Sequence, residues 1–183
     1  MRDGLAPCFV ICGGQVVGDD VASLSFLGKG IHVDSSRDKQ ERESLRYVLV
    51  IPAFNEQKAI AGILRRAVAA RQQVLASTPV TEMTVVVVND GSTDETQAII
   101  EQPEFADVVK IRFPENRGYG AAIKAGFGAV AGELVGFIDA DGTCNPAFSV
   151  QLINHLLATD ADLVLANRLN ADSKMPLVRR IGN

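Results

Sequence analysis

Asp139 and Asp141 stand one residue apart in the run Gly136 to Asn145, GFIDADGTCN. An apolar segment ends there by setting two carboxylates side by side. Like charges this close repel, which costs free energy unless a positive group lies between or beside them. An oxygen-only donor pair with room for water suits Mg²⁺ or Mn²⁺, ions that complete their shells with substrate phosphates. The same two acids would also serve as turn residues leading into a helix that opens at Pro146.

Other polar residues of chemical interest fall into three further clusters. Asp90 precedes Gly91 in NDGSTD (89–94), where a carboxylate can accept from the N–H edge of a nucleobase or simply make the turn. Asn55 and Glu56 close PAFNE (52–56) and open a helix, whose free amides attract acceptor groups; plain capping explains Asn55 equally well. Arg117 and Lys124 flank the glycines of ENRGYG (115–120), within reach of a base or a diphosphate or else as solvated surface charges. Neither a G-x-x-x-x-G-K-[ST] loop nor a G-x-G-x-x-G turn after the first strand of this region is present.

The elements that must position these clusters follow from the apolar pattern. YVLVI (47–51), TVVVVN (84–89), VVKIRF (108–113), LVGFID (134–139) and DLVLAN (162–167) are short and rich in β-branched residues. Such runs suit parallel strands buried on both faces. Between them, Ile60, Ile63, Leu64, Ala67 and Val68 form one helical stripe. Ser92-Thr93-Asp94-Glu95 has the form of a capping box for a second helix, a third covers 119–130, and a fourth starts at Pro146. Five strands alternating with four helices predict a doubly wound, Rossmann-like, mostly parallel α/β sheet. All four polar clusters then sit at carboxyl ends of strands, where open α/β sheets bind ligands.

Composition narrows the function classes. A net charge of −4 and only 5% aromatic residues argue against nucleic acid as a partner, which needs a basic face or stacking platforms. Cys8, Cys12 and Cys144 are an odd set without a second Cys/His pair at metal spacing, so they read as free thiols in a reducing compartment. The apolar stretch LAPCFVICGGQVVG has no basic n-region and is broken by Gly13 and Gly14, which argues against a signal peptide. No apolar run approaches the ~20 residues of a bilayer span. Residues 34–46 are charged and poor in apolar groups, the composition of a linker or solvated helix.

Taken together, VIPAFNE, VVVVNDGSTDET, NRGYGAAIKAGF and FIDADGT, in this order and spacing, resemble the family 2 glycosyltransferases of the GT-A fold. Within that family the likeness is to polyprenyl-phosphate glycosyltransferases of the dolichyl-phosphate mannosyltransferase type. It covers residues 46–183 and predicts a GT-A domain there, truncated at its C-terminus; residues 1–45, outside the likeness, read as an N-terminal extension, poorly ordered or of uncertain structure.

The resemblance implies that Pro52, Ala53, Phe54 and Glu56 line a nucleotide pocket with Asp90 on the base. It puts Asp139 and Ala140 against ribose and diphosphate, and Asp141 directly on the metal. Arg168, Arg179 and Arg180, in the tail ANRLNADSKMPLVRRIGN, would meet phosphate oxygens of donor or acceptor, unless the tail is only a solvated basic segment. Guanidinium forks suit such oxygens. Thr143 stands where some relatives carry a Gln that adds a metal ligand.

The implied activity is metal-dependent, inverting transfer of a sugar from a UDP- or GDP-sugar to a polyprenyl phosphate or a glycan. The implied location is the cytoplasmic face of a membrane. Two alternatives remain at this level: a nucleotide-sugar-binding module without turnover, and a sugar nucleotidyltransferase, which would carry a Gly-rich basic loop where this chain has PAFNEQK.

Overall fold

In the central strands, side chains alternate between two apolar faces. In a computed structural model describing residues 8–12 and 44–166, β2 (Leu45–Ala53) pairs in parallel with β3 (Val80–Asp90). Leu49, Ile51, Val85 and Val87 enter one apolar core, and Val48, Val50, Val86 and Val88 enter a second on the opposite face. Burial on both faces is why these strands read as unbroken apolar runs instead of alternating ones.

The sheet extends to six strands in the order β4-β3-β2-β5-β1-β6. The others are β1 (Cys8–Cys12), β4 (Val109–Phe113), β5 (Leu134–Ile138) and β6 (Leu163–Leu165), and every pairing is parallel. After β2 the chain builds toward β4, and after β5 it builds toward β6. The strand order therefore reverses between β2 and β5, which pair directly.

Helices cover both faces. α1 (Ile60–Ser77) buries Ile60, Ile63, Leu64, Ala67 and Val74 in the first core, joined by Ile100 of α2 (Thr96–Ile100) and by Leu152, Ile153 and Leu156 of α4 (Ser149–Thr159). α3 (Tyr119–Ala129) covers the other face through Ala122 and Gly126. A Cβ on Gly126 would lie 2.3 Å from Val50 Cγ1, so α3 approaches β2 too closely for any side chain there.

Three details differ from the sequence reading. Cys8–Cys12 forms a strand inside the sheet, between β5 and β6, whereas 1–45 was expected to stay outside the domain. The segment CFVIC carries a short apolar strand pattern, masked by its resemblance to a leader segment and by the glycines after it. Pro146 opens a 3₁₀ turn (Pro146–Phe148) capped by the Asn145 side chain, and α4 proper starts at Ser149.

The capping box does not form either. Asp94 Oδ1 accepts from the Thr96 amide and hydroxyl, while the Ser92 hydroxyl accepts from the Asn55 amide of another loop. The Glu95 amide that Ser92 would cap goes instead to Gln57 Oε1 of the neighbouring turn, and Asp94 takes the next amide with a charged acceptor.

Candidate functional site

The reversal between β2 and β5 leaves a cleft of about 380 Å³ at the carboxyl ends of the strands. Its walls come from all four predicted clusters: Pro52, Ala53, Phe54 and Glu56 after β2, Asp90 at the end of β3, Asn116, Gly118 and Tyr119 before and at the start of α3, and Asp139, Ala140 and Asp141 after β5. Segments distant in sequence converge because parallel strands put every βα turn on the same edge of the sheet.

Two of the turns are fastened to each other. Asn55, held at a positive φ of 56°, donates its amide to Ser92 Oγ at 2.9 Å and accepts the Thr93 amide on Oδ1 at 2.8 Å. The Glu56 amide donates to Thr96 Oγ1 at 2.9 Å, and the Gln57 amide to Asp94 Oδ2 at 3.1 Å. The amides of Asn55, Glu56 and Gln57, which lead into α1, are thus taken by Ser92, Thr96 and Asp94, and Asn55 acts as a loop fastener.

Asp90 is only 3% exposed. Its two oxygens accept the amides of Arg117, at 2.7 Å, and Gly118, at 2.9 Å. The expected base-reading acid therefore also anchors the NRGYG loop. Gly118 has φ 92° and ψ 154°, a region closed to side chains, which lets its amide turn toward Asp90. Gly91 (φ 70°) allows the same approach from below, since a Cβ there would lie 2.3 Å from the Glu115 carbonyl carbon.

The acidic end of the cleft is held from three directions. Tyr119 Oη donates to Asp139 Oδ1 at 2.5 Å. Thr143 donates both its amide, at 2.8 Å, and its hydroxyl, at 2.7 Å, to Asp141 Oδ1. Arg66, on α1, donates to the Gly142 carbonyl at 2.8 Å. Thr143 is thus the partner that orients Asp141, in the position where a Gln ligand was sought.

Glu56 shares this acidic corner. Burial, followed by the negative charges of Asp141, Asp94 and Asp139, raises its carboxyl above the ordinary carboxylate range. Such a concentration of carboxylates fits a hard divalent cation. Among the described residues no three His, Cys, Asp or Glu side chains assemble a complete cage. A Mg²⁺ or Mn²⁺ ion here would accordingly draw on Asp141 and Asp139 and fill its shell with water and ligand oxygens.

The remaining predicted residues fare differently. Arg117 and Lys124 are not among the cleft-lining residues; the Arg117 guanidinium lies 4.7 Å from the centroid of the Phe113 ring, a cation–π contact at the surface. Its backbone amide holds the loop on Asp90. Arg168, Arg179 and Arg180 lie outside the described residues. Asn116, Tyr119 and Arg66 were not singled out from the sequence. Asn116 and Tyr119 were at least inside a glycine-marked loop, whereas an exposed arginine in mid-helix carries no local signal.

Comparison with known proteins assigns the chain to a lineage. The family model described as glycosyl transferase family 2 matches residues 48–181. An undecaprenyl-phosphate 4-deoxy-4-formamido-L-arabinose transferase from Sodalis glossinidius is 34% identical over 125 residues, 67% of this chain and 36% of that protein. A dolichyl-phosphate beta-glucosyltransferase from Drosophila melanogaster is 33% identical over 107 residues, 56% of this chain and 33% of its own length. The chain thus spans about a third of the length of these relatives.

Among solved structures, glucosyl-3-phosphoglycerate synthase from Mycobacterium tuberculosis, in complex with Mn²⁺, UDP and glucosyl-3-phosphoglycerate, superposes with a TM-score of 0.48 at 24% identity over 62% of this chain and 40% of that one. By the family match and its α/β sheet, the chain belongs to glycosyltransferase family 2, with the GT-A fold class expected of it.

Proposed function

We propose that this chain forms the donor-binding part of a metal-dependent, inverting glycosyltransferase that moves a sugar from a UDP- or GDP-sugar to a polyprenyl phosphate at a membrane surface. The observation that carries the reading is the convergence of Glu56, Asp90, Asp139 and Asp141 on one cleft at the strand-order reversal. Names of relatives in the undecaprenyl-phosphate and dolichyl-phosphate transferase groups support the acceptor class.

In this reading Pro52, Ala53 and Phe54 give an apolar wall for the base, with Asp90 at its edge. Phe54 is 44% exposed, a ring with a face left for a ligand to cover. Asp139 and Ala140 lie toward the ribose and diphosphate, and Asp141, oriented by Thr143, would hold the ion with Asp139. When bound, Mg²⁺ or Mn²⁺ supplies Lewis-acid neutralisation of the charge growing on the departing nucleoside diphosphate. The Glu56 carboxylate and its neighbours provide the negative field that such an ion balances. A phosphate acceptor is already ionised near neutral pH, so its attack requires no general base from the protein. No helix among the described residues is long and apolar enough to cross a membrane. In this reading the membrane is the surface from which the lipid acceptor is presented.

Thermal unfolding against UDP- and GDP-sugars, with Mn²⁺ or with chelator, tests this. A donor at about a hundredfold over its dissociation constant stabilises by roughly 2.7 kcal/mol, a shift of several degrees. The shift is expected for one base, only with metal, and not in Asp141→Ala. A cooperatively unfolding chain that no donor shifts would defeat the reading. Transfer of labelled sugar to undecaprenyl phosphate, but not to a glycan acceptor, tests the acceptor.

A further inference from the structure

The two carboxylates of the Asp-Ala-Asp run are held in different ways, and the difference lies in Tyr119. This residue is the first of α3, yet its hydroxyl reaches across the cleft to Asp139 at the end of β5. Two further contacts fix its direction. Its own loop is pinned by Asp90 through the Arg117 and Gly118 amides. Its ring meets Phe137 of β5 edge-on, with centroids 6.0 Å apart and planes at 80°.

Tyr119 is 50% exposed, so burial does not force the contact; water could satisfy the hydroxyl equally well. A hydrogen bond to a carboxylate at 2.5 Å is of the strong, charge-assisted kind. Asp141 differs. Both donors of Thr143 go to Oδ1, and among the described residues no protein hydrogen bond to its Oδ2 is formed.

We propose that the Tyr119 hydroxyl is a latch on Asp139. It holds that carboxylate as a hydrogen-bonding group facing the ligand, competes with the divalent cation for it, and so leaves Asp141 as the principal metal ligand. Tyr119 is a positioning residue in this scheme, acting through Asp139 and not on the reacting atoms. Because it sits on the loop that Asp90 anchors, it also ties the state of the NRGYG loop to the occupancy of the acidic corner. The inference rests on reading the cleft as a site for a divalent cation with a nucleoside diphosphate.

The test uses the full chain and Mn²⁺ alone, with free Mn²⁺ followed by electron paramagnetic resonance. Tyr119→Phe keeps the ring and its edge contact with Phe137 and removes only the hydroxyl. It is expected to bind Mn²⁺ roughly three- to tenfold more tightly than wild type, the range commanded by one hydrogen bond. Adding Asp139→Asn to that variant is expected to abolish the gain. A purely structural Tyr119 would lower the unfolding temperature without moving Mn²⁺ affinity, and that result overturns the latch. A gain that survives Asp139→Asn overturns it as well.

The functional reading fails separately. Wild type that binds Mn²⁺ but no UDP or GDP refutes the donor assignment while the latch is still read from Mn²⁺. Wild type that takes up no Mn²⁺ overturns both the latch and the metal site.

Discussion

Glu56 pays an electrostatic cost in the free protein. Its carboxyl is raised by burial and by Asp141, Asp94 and Asp139, so the folded state binds its proton more tightly than the unfolded state does. Stability therefore falls as pH climbs from the ordinary carboxylate range through the raised value. Glu56→Gln is expected to stabilise the metal-free protein at pH 7 by about 0.5 kcal/mol, or roughly 1–2 °C, with the advantage fading toward pH 4. Thermal unfolding of both proteins across pH checks this; an equal or lower transition at pH 7 would refute it. Mn²⁺ should narrow the gap, because a cation relieves the same repulsion. Asp141→Asn is expected to lose Mn²⁺-dependent stabilisation by nucleoside diphosphate while unfolding within about 0.5 kcal/mol of wild type, since Asp141 is exposed and, among the described residues, bonded within its own turn.

At the scale of elements, the βα turns are braced against one another. Gly91 takes φ 70° with the backbone of Glu115 and Asn116 pressed against the place of its missing Cβ. Gly91→Ala is expected to cost about 2–4 kcal/mol, combining left-handed strain with a backbone clash; denaturant unfolding measures it, and a loss below 1 kcal/mol would contradict the packing. Asp90→Asn keeps the shape but leaves an amide group able to accept from only one of the two backbone donors. The expected loss is roughly 1–3 kcal/mol, together with faster hydrogen exchange at the Arg117 and Gly118 amides than at the β3 amides. Uniform exchange would show that Asp90 does not anchor the loop.

Across the whole molecule, the edge of the sheet opposite the cleft is fastened by charge. Arg46, at the start of β2, meets Glu133, just before β5, through Nε at 3.2 Å, Nη2 at 2.7 Å and its backbone amide at 2.8 Å. The side-chain bond from Arg46 leads a set of interactions that lowers the Glu133 carboxyl to about 2. A depressed acid contributes stability above its ordinary value of 4.5, and that contribution disappears as pH falls through about 2. The pair is about two-fifths exposed, which solvent screening discounts to roughly 0.5–1 kcal/mol. Glu133→Gln is expected to be less stable by that amount at pH 7 and to converge with wild type between pH 4.5 and 2 in urea titrations. A constant difference across that range would assign the effect to packing instead.

How much the sequence determined differs between strands and loops. The valine-rich runs at 47–51 and 84–89 specified central parallel strands, because burial on both faces leaves nothing polar to obscure the pattern. Glycines and acids after those runs likewise marked the cleft, since turns at a strand end need positive φ and short polar groups. What each polar side chain does there was decided only by the tertiary structure. Ser92 looked like a cap and fastens Asn55; Arg117 read as a charge within reach of a base or diphosphate or else solvated, and its amide holds Asp90 while its guanidinium lies over Phe113. Tyr119 and Arg66 acquired their places on the acidic turn from elements 20 and 76 residues away. Local sequence fixes backbone periodicity over a few residues, whereas a hydrogen bond goes to whichever partner folding brings within about 3 Å.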